Sequence, residues 1–186
     1  MKAAKAAAPD VAALEQYLTS IGVDGDKDPE YAVTAALLSE LLVERTAGLR
    51  SAPPVISPLP YRGRPDETVG LESVRFYGLC PHHLVPYIGD ASMRMIPGDQ
   101  IAGAGALARA VRELAMVPRL QENLTQAVAD LIERDLAPRG LWVRIMGRHF
   151  CMELRGTGHS ARLVSEARRG AAFPAGGDGA RRPATR

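Results

Sequence analysis

Two segments that lie far apart in the sequence carry both cysteines and three of the four histidines of this 186-residue chain. The first is Cys-Pro-His-His at residues 80–83, and the second is His-Phe-Cys at residues 149–151. Two thiolates and one imidazole form a ligand set that suits zinc, and three protein ligands leave one coordination position open, as in catalytic zinc sites. We therefore expect a fold that brings both segments around one ion. The ligands would be Cys80, His83 and Cys151, with His82 and His149 beside the metal.

Each of these residues also has a purely structural interpretation. A single cysteine in a strand is usually a small buried hydrophobic residue, so Cys151 alone would not indicate a metal. Cys80 could likewise belong to the core, and His83 could be a polar residue near a turn. Taken together, the Cys-x-x-His spacing and a second cysteine close to another histidine favour a metal site. Soft thiolates favour zinc, although iron could occupy the same set.

The composition is that of a globular protein, with 46% hydrophobic and 24% charged residues. No stretch is long and apolar enough to span a bilayer, and the basic residues 1–8 are not followed by the apolar run of a signal peptide. We therefore expect a cytoplasmic protein without a membrane partner. In that compartment two cysteines favour a metal or catalysis over a disulfide.

The charge distribution argues against a nucleic-acid partner. The net charge is +2, but residues 162–186 hold six arginines against Glu166 and Asp178, which leaves the rest of the chain acidic. A nucleic-acid-binding surface needs lysines and arginines clustered on a folded face. We therefore predict no binding to nucleic acid.

The hydrophobic periodicity predicts an α+β fold. Two helices are expected within residues 10–48, the second of which begins at Asp28-Pro29 with Asp28 as its N-cap. Further along, the pattern predicts strands from about Thr68, over Tyr87–Ile96 and over Leu141–Met146, helices over 105–116 and 119–135, and a strand that continues or pairs over Phe150–Leu154. The result would be an antiparallel sheet with two helices on one face, preceded by an N-terminal helical pair.

This order divides the chain into three parts. Residues 1–66 would form the helical segment and a proline-rich connector, and residues 67–173 the catalytic domain. Residues 174–186 are rich in Gly, Pro and Arg and are expected to be disordered.

Four motifs between Phe76 and Gly156 resemble those of GTP cyclohydrolase I. They are Cys80-Pro81-His82-His83-Leu84-Val85-Pro86, Leu107-Ala108-Arg109, Gln121-Glu122-Asn123-Leu124-Thr125, and His149-Phe150-Cys151-Met152 with Arg155-Gly156. The resemblance implies the tunnelling fold with a four-stranded sheet, assembled as a homodecamer with active sites at subunit interfaces. It also implies zinc-dependent hydrolysis of the imidazole ring of GTP, with release of formate and formation of 7,8-dihydroneopterin triphosphate.

The resemblance assigns a role to each site residue. The zinc ligands would be Cys80, His83 and Cys151; the proton-transfer residues His82 and His149; the guanine contacts Gln121 and Glu122; and the phosphate contacts Arg109 and Arg155. Outside the motif, Gln121-Glu122 would be interpreted as a helix-capping or solvated pair, and both arginines as surface residues.

Several departures from the family pattern lie at the positions expected to contact the triphosphate. Gly105-Ala106 replaces a Ser-Lys pair, Tyr31 replaces an arginine, and Val117 replaces another arginine. Fewer positive charges should weaken triphosphate binding. We therefore predict a raised KM for GTP or a preference for a less phosphorylated guanine nucleotide. The alternative is an altered or inactive paralogue that acts as an oligomeric binding subunit.

Overall fold

The computed structural model describes residues 9–155, 158, 160–170 and 173. The basic residues 1–8 and the segment predicted to be disordered (174–186) lie outside the described residues. The architecture is α+β, with a four-stranded antiparallel sheet and two helices on one face, which confirms the predicted fold class. None of the described helices has the length and hydropathy that crossing a membrane would require.

The N-terminal helical pair comprises α1 (Val11–Ser20) and α2 (Thr34–Arg45). The predicted start of the second helix at Pro29 was too early. Asp28 does act as a cap, since its side chain accepts a hydrogen bond from the Glu30 amide, but it caps a 3-10 turn over Pro29–Tyr31. Proline at the first helical position suits either kind of helix, so this signal marks where the turn begins and not how long the helix is.

The sheet is built from long antiparallel strands. The strands are β1 (Leu59–Pro60), β2 (Val69–Leu79), β3 (Pro86–Ile96), β4 (Gln100–Ile101), β5 (Gly140–His149) and β6 (Arg162–Arg169). The main sheet has the order β2-β3-β5-β6, and β1 pairs with β4 as a separate ribbon. Because neighbouring strands are antiparallel, the ends of β2 and β5 and the start of β3 meet at one edge of the sheet. The residues predicted to bind metal lie at that edge.

Two amphipathic helices cover one face of this sheet and close the core. Helix α3 (Ala104–Ala115) packs on β2, and α4 (Gln121–Leu136) packs on β5 and β6. The buried side chains between the layers include Phe76, Met93, Val111, Leu124 and Ile145. Their removal from water stabilises the two-layer arrangement by about 1.5–3 kcal/mol for each large apolar side chain.

The strand predicted over Phe150–Leu154 is wrong, because these residues form a short helix, α5. The last register pair between β3 and β5 joins Tyr87 to His149. The next residue of β3 in that direction is Pro86, which has no N–H to donate to a ladder. Pairing therefore stops at His149, and the chain turns directly into α5 beside the edge of the sheet.

Candidate metal centre and active site

Cys80, His83 and Cys151 converge at this edge, as the sequence predicted. One potential ligand atom from each residue lies within 4.8 Å of the other two. The Cys80 sulfur is 3.8 Å from Nδ1 of His83, and both cysteines are free thiols. Ligands about 2.0–2.3 Å from a single zinc ion would lie roughly 3.5–4 Å apart in tetrahedral geometry. The donor set therefore fits one divalent ion after only small side-chain adjustments.

The loop between β2 and β3 folds back on itself to present His83 to Cys80. The Cys80 amide donates to the Val85 carbonyl at 3.0 Å, and the Leu84 amide donates to the Cys80 carbonyl at 2.9 Å. Leu84 closes the turn in the left-handed region, with φ 51°. The imidazole rings of His82 and His83 lie edge to face, with their centroids 6.2 Å apart. His82 is exposed to solvent, which suits a proton carrier.

Cys151 enters the cluster from α5 and completes the set of soft donors. Burial, together with the nearby Cys80 sulfur, raises the pKa of the Cys151 thiol above its ordinary value. Without a cation, both effects favour the protonated thiol at neutral pH. A divalent ion reverses that preference because it stabilises the thiolate directly. Two adjacent sulfurs and one imidazole are thus a chemically suitable site for a thiophilic metal.

His149 is held beside the metal cluster by Gln121. Nε2 of His149 lies 3.0 Å from Oε1 of Gln121. The Gln121 amide nitrogen lies within hydrogen-bond distance of the Ile145 carbonyl (3.2 Å), the Leu163 carbonyl (3.1 Å) and Oγ of Ser165 (2.9 Å). Since all three are acceptors for the amide N–H groups, the oxygen must face the histidine. His149 therefore donates from Nε2 and keeps Nδ1 free as a proton acceptor in its neutral form.

The side chain of Gln121 is fully buried, with 0% relative exposure. The hydroxyl group of Thr125, one turn along α4, donates to the backbone carbonyl of Gln121 at 2.9 Å. The same hydroxyl lies 2.7 Å from the Ser165 hydroxyl. Gly147 leaves room for this network, because a Cβ atom there would overlap Oε1 of Gln121. The predicted contact between Gln121 and guanine stays a prediction, but the side chain already has hydrogen-bond partners inside the protein.

Tyr87 forms the other wall beside His149. The two rings stack with centroids 4.6 Å apart and planes 3° from parallel. Burial raises the pKa of Tyr87 to about 12, so the phenol stays neutral. Burial also lowers the pKa of His149 below its ordinary value, an effect that the nearby Glu122 carboxylate opposes. The imidazole is therefore biased toward its neutral, proton-accepting form.

The other predicted substrate contacts are more dispersed. Glu122 is exposed in the first turn of α4, next to Gln121 and near His149. Arg155 is exposed just beyond α5. Arg109 lies on the solvent face of α3, 3.8 Å from Glu113, with a side chain 67% exposed. Within the described residues, no recorded contact joins either arginine to the metal cluster, so their phosphate-binding role stays a prediction.

Three residues of the site were not predicted as part of it: Tyr87, Gly147 and Ser165. Gly147 carried a usable signal, since a glycine inside a strand often marks the close approach of another group. Tyr87 and Ser165 alternate with their neighbours like ordinary strand residues. Their contacts with the site arise from tertiary packing alone.

The sequence matches the family described as GTP cyclohydrolase I over residues 11–175. It is 34% identical to GTP cyclohydrolase 1 of Streptococcus agalactiae serotype Ia over 145 residues, which cover 77% of each chain. It is 36% identical to GTP cyclohydrolase 1 of Thermobifida fusca over 162 residues, or 86% of this chain and 78% of that protein. Among solved structures, E. coli dihydroneopterin aldolase in complex with neopterin aligns with a TM-score of 0.44 and 12% identity, over 56% of this chain and 99% of that one. The sequence matches agree with the motifs and with the tunnelling-fold architecture, and the chain therefore belongs to the GTP cyclohydrolase I family of hydrolases.

Proposed function

We propose that this protein is a zinc-dependent enzyme that hydrolyses the imidazole ring of GTP, or of a related guanine nucleotide. The products would be formate and 7,8-dihydroneopterin triphosphate. The observation that carries this proposal is the convergence of Cys80, His83 and Cys151 beside a histidine with a fixed orientation. A metal kept only for stability would not need His149 held in place next to it.

The ion that best suits two thiolates and one imidazole is Zn²⁺. A zinc ion held by these side chains would supply Lewis-acid polarisation of a water molecule at its open coordination position. The thiolates of Cys80 and Cys151 would lower the net charge of the site, and His83 would complete the protein ligands. Metal analysis of the purified protein distinguishes zinc from iron.

His149 and His82 would divide the proton transfers between a half-buried and an exposed position. His149 would accept a proton at Nδ1, because Gln121 occupies Nε2. His82, on the solvent side of the loop, would exchange protons with water. The stacked ring of Tyr87 excludes water from one face of His149 and keeps the imidazole plane fixed.

Glu122 is the best-placed residue to bind the guanine base. Its carboxylate can accept hydrogen bonds from both the ring N–H and the exocyclic amine, as a bidentate pair. Gln121 would then act mainly through His149, with Arg109 and Arg155 contacting phosphates. Since Arg109 is not in contact with the metal cluster of its own chain, we propose that its phosphate contact is completed between subunits.

We propose a cytoplasmic homo-oligomer, a decamer by analogy with the family. The described part of the N-terminal pair supports self-association, because its apolar side chains lack intramolecular cover. Tyr17 is 62% exposed, and Ile21, Val33 and Leu37 are each 58% exposed. Size-exclusion chromatography with light scattering would measure the subunit number.

One assay tests the reaction directly. The protein is incubated with GTP, released formate is quantified, and the oxidised product is examined for pterin fluorescence. Cys151→Ser should lose both metal and product, whereas Met152→Leu, at the neighbouring exposed position, should keep both. Formate production by metal-free Cys151→Ser at the wild-type rate would contradict the proposal.

The replacement of Ser-Lys by Gly105-Ala106 favours a second possibility, a substrate with fewer phosphates. These residues lie in the first turn of α3 and add no charge there. Steady-state comparison of GTP, GDP, GMP and guanosine separates the two. A clear preference for GTP with an ordinary KM would exclude the less phosphorylated substrate, and failure of all four would favour a non-catalytic binding subunit.

A further inference from the structure

A cavity of about 420 Å³ lies between the chain that follows α2 and the turn joining α3 to α4. Its apolar wall includes Pro53, Pro54 and Val117, and its charged lining residues are Glu113 and Arg119. Cavities of about 300–1,000 Å³ accommodate small organic molecules. The three metal-binding side chains do not line it, so this cavity is separate from the site described above.

Arg119 is an unusual residue to find in such a wall. Its Nε atom is buried and has no hydrogen-bond partner within the described part of the chain. Burial lowers its pKa, an effect that the nearby Tyr87 opposes, and an arginine stays charged at neutral pH. A partly desolvated cation without an acceptor is unfavourable, and an anionic partner would relieve that cost.

The backbone of Arg119 is fixed although its Nε atom lacks an acceptor among the described residues. The amide of Arg119 donates to the Leu79 carbonyl at 3.3 Å, and its carbonyl accepts from the Tyr87 hydroxyl at 3.3 Å. Other arginines in this region are paired: Arg112, for example, donates from Nε to the Arg75 carbonyl at 3.4 Å. Arg119 is therefore a cationic residue on a fixed backbone that lines the cavity.

Glu113 does not neutralise this charge. Its carboxylate lies 3.8 Å from Nε of Arg109, one turn back along α3, and no ion pair between Glu113 and Arg119 is recorded among the described residues. The side chain of Glu113 is also 46% exposed, so water screens it. The cavity thus combines an apolar wall with one unpaired, partly buried cation.

We propose that this cavity binds a small organic anion whose carboxylate or phosphate pairs with Arg119 and whose apolar body lies against Pro53, Pro54 and Val117. The guanidinium fork matches either anion. Such a ligand occupies a second site, apart from Cys80, His83 and Cys151. Its wall shares one residue, Val117, with the positions expected near the triphosphate, so competition with GTP is part of the test. Bound there, it would contact Arg119, whose backbone carbonyl accepts a hydrogen bond from the Tyr87 hydroxyl.

Isothermal titration of the full chain tests this proposal with three probes of similar shape: benzoate, phenyl phosphate and neutral benzyl alcohol. We expect at least one anion to bind the wild type, and the alcohol to bind more weakly. Arg119→Gln should weaken anion binding by about ten- to hundredfold, the loss of one charge-assisted hydrogen bond. Arg112→Gln, a matched loss of charge on the exposed side of α3, should leave binding unchanged.

Two further measurements keep the proposal open to refutation. Glu113→Gln retains Arg119 and removes a negative charge that water already screens, so anion binding should be at least as tight as in the wild type even if Arg119→Gln folds poorly. A titration in saturating GTP should leave the anion bound. The proposal is overturned if neither anion binds the wild type, if Arg119→Gln binds as the wild type does, if Glu113→Gln weakens binding, or if GTP displaces the anion.

Discussion

Replacing Gly147 by alanine should damage the active site from a position that touches neither metal nor substrate. The new Cβ would overlap Oε1 of Gln121. The Gln121 side chain cannot simply turn aside, because its amide nitrogen is held by Ile145, Leu163 and Ser165. Either that anchoring breaks, or Oε1 moves away from Nε2 of His149. In both cases the hydrogen bond that orients the histidine is weakened.

The magnitude follows from the two interactions that are disturbed. An extra methyl group in a packed interior costs about 1–3 kcal/mol. The lost hydrogen bond adds about 0.5–1.5 kcal/mol. For a chain of this size the sum corresponds to a fall in melting temperature of roughly 3–18 °C. If His149 acts as a general base, its misorientation should lower kcat by about a hundredfold, the lower end of what such catalysis contributes.

Gly89→Ala is the matched control, because Gly89 is the register partner of Gly147 on β3. A Cβ at Gly89 would meet Cζ of Phe76 at 2.7 Å and the Met146 carbonyl oxygen at 3.0 Å, and neither atom belongs to the site. Differential scanning calorimetry and formate release per folded molecule are measured for both variants. Similar losses of stability, with the loss of rate confined to Gly147→Ala, support the reasoning. Equal rates in the two variants would refute it.

Three other perturbations have defined outcomes. Asp135→Asn should lower the free energy of unfolding at pH 7 by about 1.5–3 kcal/mol, because the Ile56 amide, 2.7 Å from the carboxylate, loses a charged acceptor. Arg134 and the Ile56 amide lower the pKa of Asp135 below 3.8, so the wild type keeps this contribution above that pH and loses it as the pH falls through the lowered value. Urea titrations should therefore separate the two proteins at pH 7, and the separation should shrink as the pH falls through the lowered pKa. Tyr87→Leu should lose the stacking on His149 and lower the free energy of unfolding by several kcal/mol. Tyr87→Phe should lower it by no more than about 1.5 kcal/mol, since it loses only a 3.3 Å hydrogen bond. Chemical denaturation distinguishes the two variants. Chelation with EDTA should abolish formate release and lower the melting temperature, and added Zn²⁺ should restore both. Full activity in metal-free protein would contradict a catalytic metal.

The helices and strands that the sequence predicted correctly are those whose two faces differ most clearly in hydrophobicity. The strand expected over Tyr87–Ile96 is present and begins one residue earlier, at Pro86. It could be predicted because buried side chains alternate with more accessible ones along the whole strand. Strand β6, by contrast, had no such pattern of its own: arginines stand at its first and its last two positions, and the strand is half-exposed beside only one neighbour. The fourth strand was implied by the resemblance and not by hydrophobic periodicity.

The parts of the site that consist of rare residue types, cysteine and histidine, could be predicted from the sequence. The parts that depend on tertiary packing could not. Two cysteines and a Cys-x-x-His spacing were enough to predict that Cys80, His83 and Cys151 lie together. The inward orientation of Gln121 could not be predicted, since the first residue of a helix can face solvent or the sheet. Only the pairing of β5 with β6 places Leu163 and Ser165 where they hold its amide.

The division of the metal ligands between two remote segments has a consequence for biosynthesis. Cys80 and His83 leave the ribosome well before Cys151, which follows only after β3, both core helices and β5 have been made. An ion captured early would have two protein ligands and would exchange readily. Tight retention would have to wait for the third ligand, the sulfur of Cys151. The identity of the bound metal would therefore be decided late in synthesis, by whichever ion the cell offers to a nearly finished domain.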